Sequence, residues 1–120
     1  MSEANVTMEV RSAGTHVRII DIQGEVTGAT EQILTDAYNQ AGAEARAVIL
    51  NFSGLEYMNS SGIGLLVMLL IRAQRQGQKL LAVGLSPHYQ EIFHLTRLNE
   101  AITLFADEQA ALAALSGISN

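Results

Sequence analysis

The chain contains no cysteine. A disulfide framework and thiolate chemistry are excluded at once. Charge is scarce as well, at 16% of the 120 residues, and cations are the scarcer sign. Seven Lys plus Arg stand against twelve Asp plus Glu, a net charge of -5. That balance favours solubility and opposes a grip on phosphate backbones. Aromatics make up 5%, and no basic patch interleaves with them, so direct nucleic acid binding is not expected. Long apolar runs are missing too. The longest, from Gly62 to Ile71, falls short of the roughly 20 residues of a membrane span and reads as a buried segment. Membrane insertion is not expected. The first ten residues, MSEANVTMEV, lack the basic stretch and apolar core of a secretory signal. A soluble cytoplasmic protein is expected.

Hydrophobic residues are plentiful at 48%, enough for the core of a single domain over 1–120. Val6 to Val10 alternates apolar and polar residues as a half-buried strand does. Arg11 to Thr15 reads as a turn, and His16 to Gln23 as a second strand that pairs with the first as a hairpin. Gly24-Glu25 is expected to break it. Thr30 to Ala41 has helical spacing, with Ile33, Leu34, Ala37, Tyr38 and Ala41 on one stripe and Gly42 as the stop. Val48 to Phe52 predicts a central strand, and Ser53 to Asn59 a loop. A long helix then starts at Ser60 or Ser61 and reaches about Gln76. Its first half is apolar almost all round, which predicts a helix packed centrally on the sheet.

Lys79 to Val83 predicts the next strand. The single proline, Pro87, suits the first position of a third helix capped by Ser86. That helix is expected to turn Tyr89, Ile92, Phe93 and Leu95 inward. Ile102 to Phe105 predicts a last strand, and Asp107 caps a final helix, Glu108 to Leu115. The fold class is α/β: a single domain with a mixed β-sheet of about five strands and about four helices.

Chemistry-bearing constellations are few. His16, His88 and His94 have no spacing that pairs them with a serine as a nucleophile's base, or with one another as metal ligands. No metal and no cofactor are expected. Gly62-Ile63-Gly64 lacks the lysine and the longer glycine pattern of a phosphate-binding loop. Intrinsic enzyme activity is not expected. Asn59-Ser60-Ser61 is the informative segment, because it places hydroxyls at the start of the most apolar helix. Such groups cap unpaired N–H groups, and the same position favours an anion. Plain capping is one reading of it, with Ser61 as the cap. A functional site is the other.

Met58-Asn59-Ser60-Ser61-Gly62-Ile63-Gly64 resembles the signature of the anti-sigma-factor antagonists of the STAS domain family, which reads Asp-Ser-Ser-Gly or Asp-Ser-Thr-Gly followed by Ile or Leu. Asn51-Phe52-Ser53, Gly24-Glu25-Val26-Thr27, and Leu80 to Pro87 with Ile92-Phe93 also resemble that family, so the likeness covers nearly the whole chain. Two positions depart from it: Asn59 and Thr27 stand where the family has acidic residues. The resemblance implies helices packed mainly on one side of the sheet. It implies phosphorylation at Ser60 by an anti-sigma factor with serine kinase activity, release of that partner on phosphorylation, and a serine phosphatase that restores binding. The docking surface it implies comprises Glu25, Thr27, Tyr57, Met58, Asn59, Ser61 and Gly62 around Ser60. Two other roles remain open: an unphosphorylated scaffold subunit of a signalling complex or membrane transport system, and a sensor holding a small apolar molecule.

Overall fold

A computed structural model describes residues 5–118. Five strands lie side by side in sequence order: β1 (Val6–Ser12), β2 (Val17–Val26), β3 (Ala47–Met58), β4 (Lys79–Val83) and β5 (Thr103–Phe105). β1 runs antiparallel to β2, and every later neighbour is parallel. The mixed sheet expected from the opening hairpin and the later crossovers is therefore present. Four helices connect and close it: α1 (Glu31–Ala41), α2 (Ser60–Arg75), α3 (Pro87–Leu95) and α4 (Glu108–Ile118).

Alternation along the strands sorts the helices. Ile20, Ile22, Val48, Leu50, Phe52, Leu80 and Ala82 face one way and pack with Leu34, Tyr38, Leu66, Leu69 and Phe93 from α1, α2 and α3. Ile19, Ile49, Leu81 and Val83 face the other way and pack with Ala111, Leu112 and Leu115 of α4. Strands buried on both faces read as continuous apolar runs rather than alternating ones, as Val48 to Leu50 and Leu80 to Val83 do. Three helices on one face and one on the other match the expected packing.

The α4 face also carries a polar clasp. Arg11 on β1 grips Asp21 on β2 through Nε (2.5 Å) and Nη2 (2.9 Å), and Nη2 reaches Glu108 of α4 at 2.8 Å. Asn51 of β3 donates to the same Asp21 carboxylate at 2.8 Å. These bonds, the Arg11 pair foremost, hold the Asp21 carboxyl below the usual carboxylate range, against the opposing effect of partial burial. A depressed carboxyl adds stability that is present above its unfolded pKa and lost as pH falls through the folded one. Asp21→Asn is therefore expected to lower stability at pH 7 by about 1 kcal/mol, since the pair is bidentate but half in solvent. It should also flatten the fall in stability below about pH 4. Urea unfolding of both proteins at pH 7 and pH 3 measures the two effects.

Several boundaries differ from expectation, each for a local reason. Gly24 does not end β2. It adopts φ +103° and lets the strand continue past a register shift against β3. A side chain there would sit 2.3 Å from the Asn5 carbonyl oxygen. Ser86 flanks α3 without a side-chain capping bond. Leu95 points outward and is 72% exposed, while Tyr89 and Phe93 are buried as expected. Asp107 does cap α4, accepting from Ala110 N at 2.9 Å.

Candidate functional site

Ser53 to Asn59 is not the expected loop. β3 runs on to Met58, although its pairing with β4 stops at Asn51. Past that point β3 pairs with β2 alone, through Gln23–Gly54, Gly24–Leu55, Glu25–Tyr57 and Val26–Met58. Between Asp21 and Glu25 the register shifts twice, each time with an extra residue on β3. Such bulges bend and twist a strand. The pair thus forms a ribbon that extends beyond β4, and α2 starts from its tip.

The tip is held at several points. Asn59 N–H donates to Val26 O at 3.3 Å. Met58 N–H donates to the Tyr89 hydroxyl of α3 at 2.8 Å. Gly62 lies against the Val26 carbonyl so closely that a Cβ would fall 2.2 Å from its oxygen. Next to Val26, Thr27 caps a short 3-10 turn, Gly28–Thr30. Its hydroxyl accepts from Ala29 N at 3.2 Å, and Thr30 Oγ1 donates back to Thr27 O at 2.7 Å. A Cβ on Gly28 would lie 3.4 Å from the Ser61 Cβ. Glu25, Thr27, Asn59, Ser60, Ser61 and Gly62 are thereby gathered at one end of the sheet.

The helix start is capped by Asn59 rather than by a serine. Asn59 Oδ1 accepts from Gly62 N at 2.9 Å, and its carbonyl accepts from Ile63 N at 3.0 Å. An amide oxygen and a carboxylate oxygen serve equally as acceptors here, so Asn59 preserves the turn while removing a charge. This corrects the expectation of Ser61 as the cap, and it leaves Ser60 and Ser61 exposed on the first turn of α2.

Two members of the expected docking set lie inside. Met58 is 4% exposed and belongs to the core, and Gly62 is buried. Met58 therefore supports the surface from beneath instead of offering contact area. Tyr57, its neighbour on the opposite face of the strand, is 49% exposed.

The outer face of α2 holds what the sequence reading missed. Gly62, Leu66, Leu69 and Ala73 are its buried residues, a stripe spaced by four, three and four. On the opposite side, Ser60, Gly64, Val67, Met68 and Ile71 are all exposed, Met68 by 61%. A trough of about 190 Å³ runs beside Met68 between α2 and α1, lined also by Leu34, Leu65 and Leu69, with Glu31 and Arg72. Arg72 is fixed there, its guanidinium 4.8 Å from the Tyr38 ring centroid and its Nη2 3.0 Å from Asn39 Oδ1. The only signal in the sequence was an α2 apolar on every side, and that pattern predicts burial equally well.

Residues 7–111 match the family described as STAS domain. The chain belongs to the STAS domain family. Over 95 residues it is 30% identical to a Bordetella bronchiseptica protein named "Putative anti-sigma factor antagonist BtrV", covering 78% of this chain and 81% of that one. The fold is that of an anti-sigma factor antagonist from Mycobacterium paratuberculosis, with TM-score 0.78 and 22% identity over 94% of this chain and 97% of that one. The anti-sigma factor antagonist SpoIIAA in its unphosphorylated form aligns with TM-score 0.68 at 22% identity, over 92% and 99% of the two chains. SpoIIAA of Bacillus in its phosphorylated form aligns equally well, with TM-score 0.68 at 23% identity over 91% and 99%.

Within this STAS domain, no helix among the described residues is long and apolar enough to cross a membrane. No three His, Cys, Asp or Glu side chains gather as a metal ion would require among those residues. The His88 ring stacks edgewise on Tyr89 at 4.8 Å, His94 lies 3.4 Å from Asn99, and His16 precedes β2 at the far end of the sheet. The arrangement offers an exposed hydroxyl beside an apolar surface.

Proposed function

We propose that this STAS domain is an anti-sigma-factor antagonist, which binds an anti-sigma factor with serine kinase activity and is released when that partner phosphorylates Ser60. One observation carries the reading. Ser60 is exposed at the head of a helix whose outer face, Gly64 to Ile71, is apolar and uncovered. Contiguous apolar surface of this kind marks an interaction site rather than ordinary surface. The kinship with named antagonists supports the same role.

The switch follows from charge. A phosphoserine carries nearly two negative charges at neutral pH. Within the docked interface it would sit beside Gly64, Val67 and Met68, none of which can pair a charge. Desolvating an unpaired dianion costs far more than apolar burial there returns. In the free domain the same group stands in water at the positive end of the α2 dipole, where it is tolerated. The unphosphorylated form binds, the phosphorylated form does not, and a serine phosphatase resets the cycle. The domain needs no cofactor for this and acts as the kinase's substrate, not as an enzyme.

The test is direct. Incubated with its cognate anti-sigma kinase and ATP, the chain should gain one phosphoryl group. Peptide mass spectrometry should place it on Ser60, and Ser60→Ala should gain none. A partner that binds wild type, Ser60→Ala and Ser60→Asp equally would contradict the switch and leave a constitutive scaffold subunit.

A further inference from the structure

The end of the sheet remote from Ser60 holds a second feature that partner docking does not use. An open trough of about 490 Å³ is lined by His16, Val17, Arg46, Ala47, Lys79 and Leu115. Its size falls within the roughly 300–1,000 Å³ of small-molecule sites. A neighbouring trough of about 340 Å³ shares Lys79 and Leu115 and continues along Leu70, Leu81 and Phe105, with Gln74, Gln78 and Thr103 also in its lining. The first trough carries the basic residues, and the second is lined mainly by apolar side chains.

The charge is the telling part. The chain is acidic overall and has one lysine. That lysine, an arginine and a histidine meet in a trough whose lining, among the described residues, contains no aspartate or glutamate. The backbone sets them in place. Arg46 N–H donates to His16 O at 2.7 Å, and Lys79 N–H donates to Arg46 O at 2.9 Å. The three residues thus stand at the leading ends of β2, β3 and β4, fixed by the sheet.

We infer that this groove is a binding site for an anion bearing an alkyl chain, with the head between Arg46, Lys79 and His16 and the chain along Leu115, Phe105 and Leu70. A carboxylate or a phosphate would satisfy the head, and the apolar wall selects against either anion without a chain. By strand rise the head-group end of the groove lies roughly 35 Å from Ser60 along β3. The head-group site is therefore remote from Ser60, and the inference stands whether or not the phosphoswitch does.

Amide NMR titration of the full chain tests it, with dodecanoate and dodecyl phosphate as probes. Acetate, inorganic phosphate and dodecyltrimethylammonium serve as controls. Saturable shifts are expected at His16, Arg46, Lys79 and Leu115 with one or both alkyl anions, and which of them binds more tightly identifies the head group. The three controls should give none. Lys79→Glu and Arg46→Glu, both on exposed side chains, should each weaken binding at least tenfold, and their spectra report directly whether the fold is kept. No saturable shift with either alkyl anion, equal binding of the alkyl cation, or unchanged affinity in both variants would overturn the inference.

Discussion

Gly62→Ala is expected to destabilise the domain by about 3 kcal/mol, while Gly64→Ala, two residues on, stabilises it by about 1 kcal/mol. Helix propensity alone predicts a gain at both positions. Packing reverses the sign at the first. A methyl on Gly62 would lie 2.2 Å from Val26 O, 2.9 Å from Val26 C and 3.0 Å from Met58 Cγ. The methionine can yield. The carbonyl cannot move freely, because it accepts the Asn59 N–H at the head of the helix. Either α2 lifts from the ribbon or that contact breaks. Around Gly64 there is nothing within 4 Å, so an added methyl removes backbone entropy from the unfolded chain at no steric cost. Urea unfolding of the two variants measures both values. Equal stabilisation would mean that the ribbon and α2 are not in contact as described.

Met68→Asp is expected to weaken binding of the proposed anti-sigma partner about a hundredfold with little loss of stability. Met68 is the most exposed hydrophobic residue of the α2 stripe and borders the trough between α2 and α1. An interface centred there would bury it, and truncating or charging a buried anchor costs about 2 kcal/mol or more. The folded domain loses less than about 1 kcal/mol, because most of the side chain is in water already. Calorimetry with the partner, beside urea unfolding of the free domain, separates the two effects. Tyr57→Ala tests the rim of the same surface and should cost less, since peripheral contacts contribute little.

The outer face of α2 also shows where sequence reading reaches its limit. An apolar residue at a helix position states a preference for burial but does not say against what. Leu66 and Leu69 meet the sheet, whereas Val67, Met68 and Ile71 stand exposed on the far side of the helix. Both sets contribute alike to the pattern. The ribbon escaped for a related reason. Ser53-Gly54-Leu55-Glu56 carries loop composition, yet bulges allow such residues to stay paired with β2 after β4 has ended. Capping was ambiguous among three adjacent polar residues. Their order along the turn gives the role to Asn59, whose side chain reaches the N–H three residues on.

What was legible rested on strong local signals. Gly42 after a clear helical stripe, the apolar runs of β3 and β4, and Asp107 before Glu108 all stand where their physics puts them. Asn59-Ser60-Ser61-Gly62 drew notice because polar and small residues there contradict the needs of a plain core. Each of the four does something different in the fold. Asn59 caps the helix, Ser60 presents an exposed hydroxyl, Ser61 faces the space beside Gly28 that a side chain there would fill, and Gly62 admits the close approach to Val26.

The most direct measurement of the central claim is the affinity of the anti-sigma partner for this domain before and after stoichiometric phosphorylation. The same calorimetric titration is run on both forms and on Ser60→Ala. The unphosphorylated domain and Ser60→Ala are predicted to bind alike, and the phosphorylated domain at least a hundredfold more weakly. Equal affinity of the phosphorylated and unphosphorylated forms would contradict the switch at Ser60.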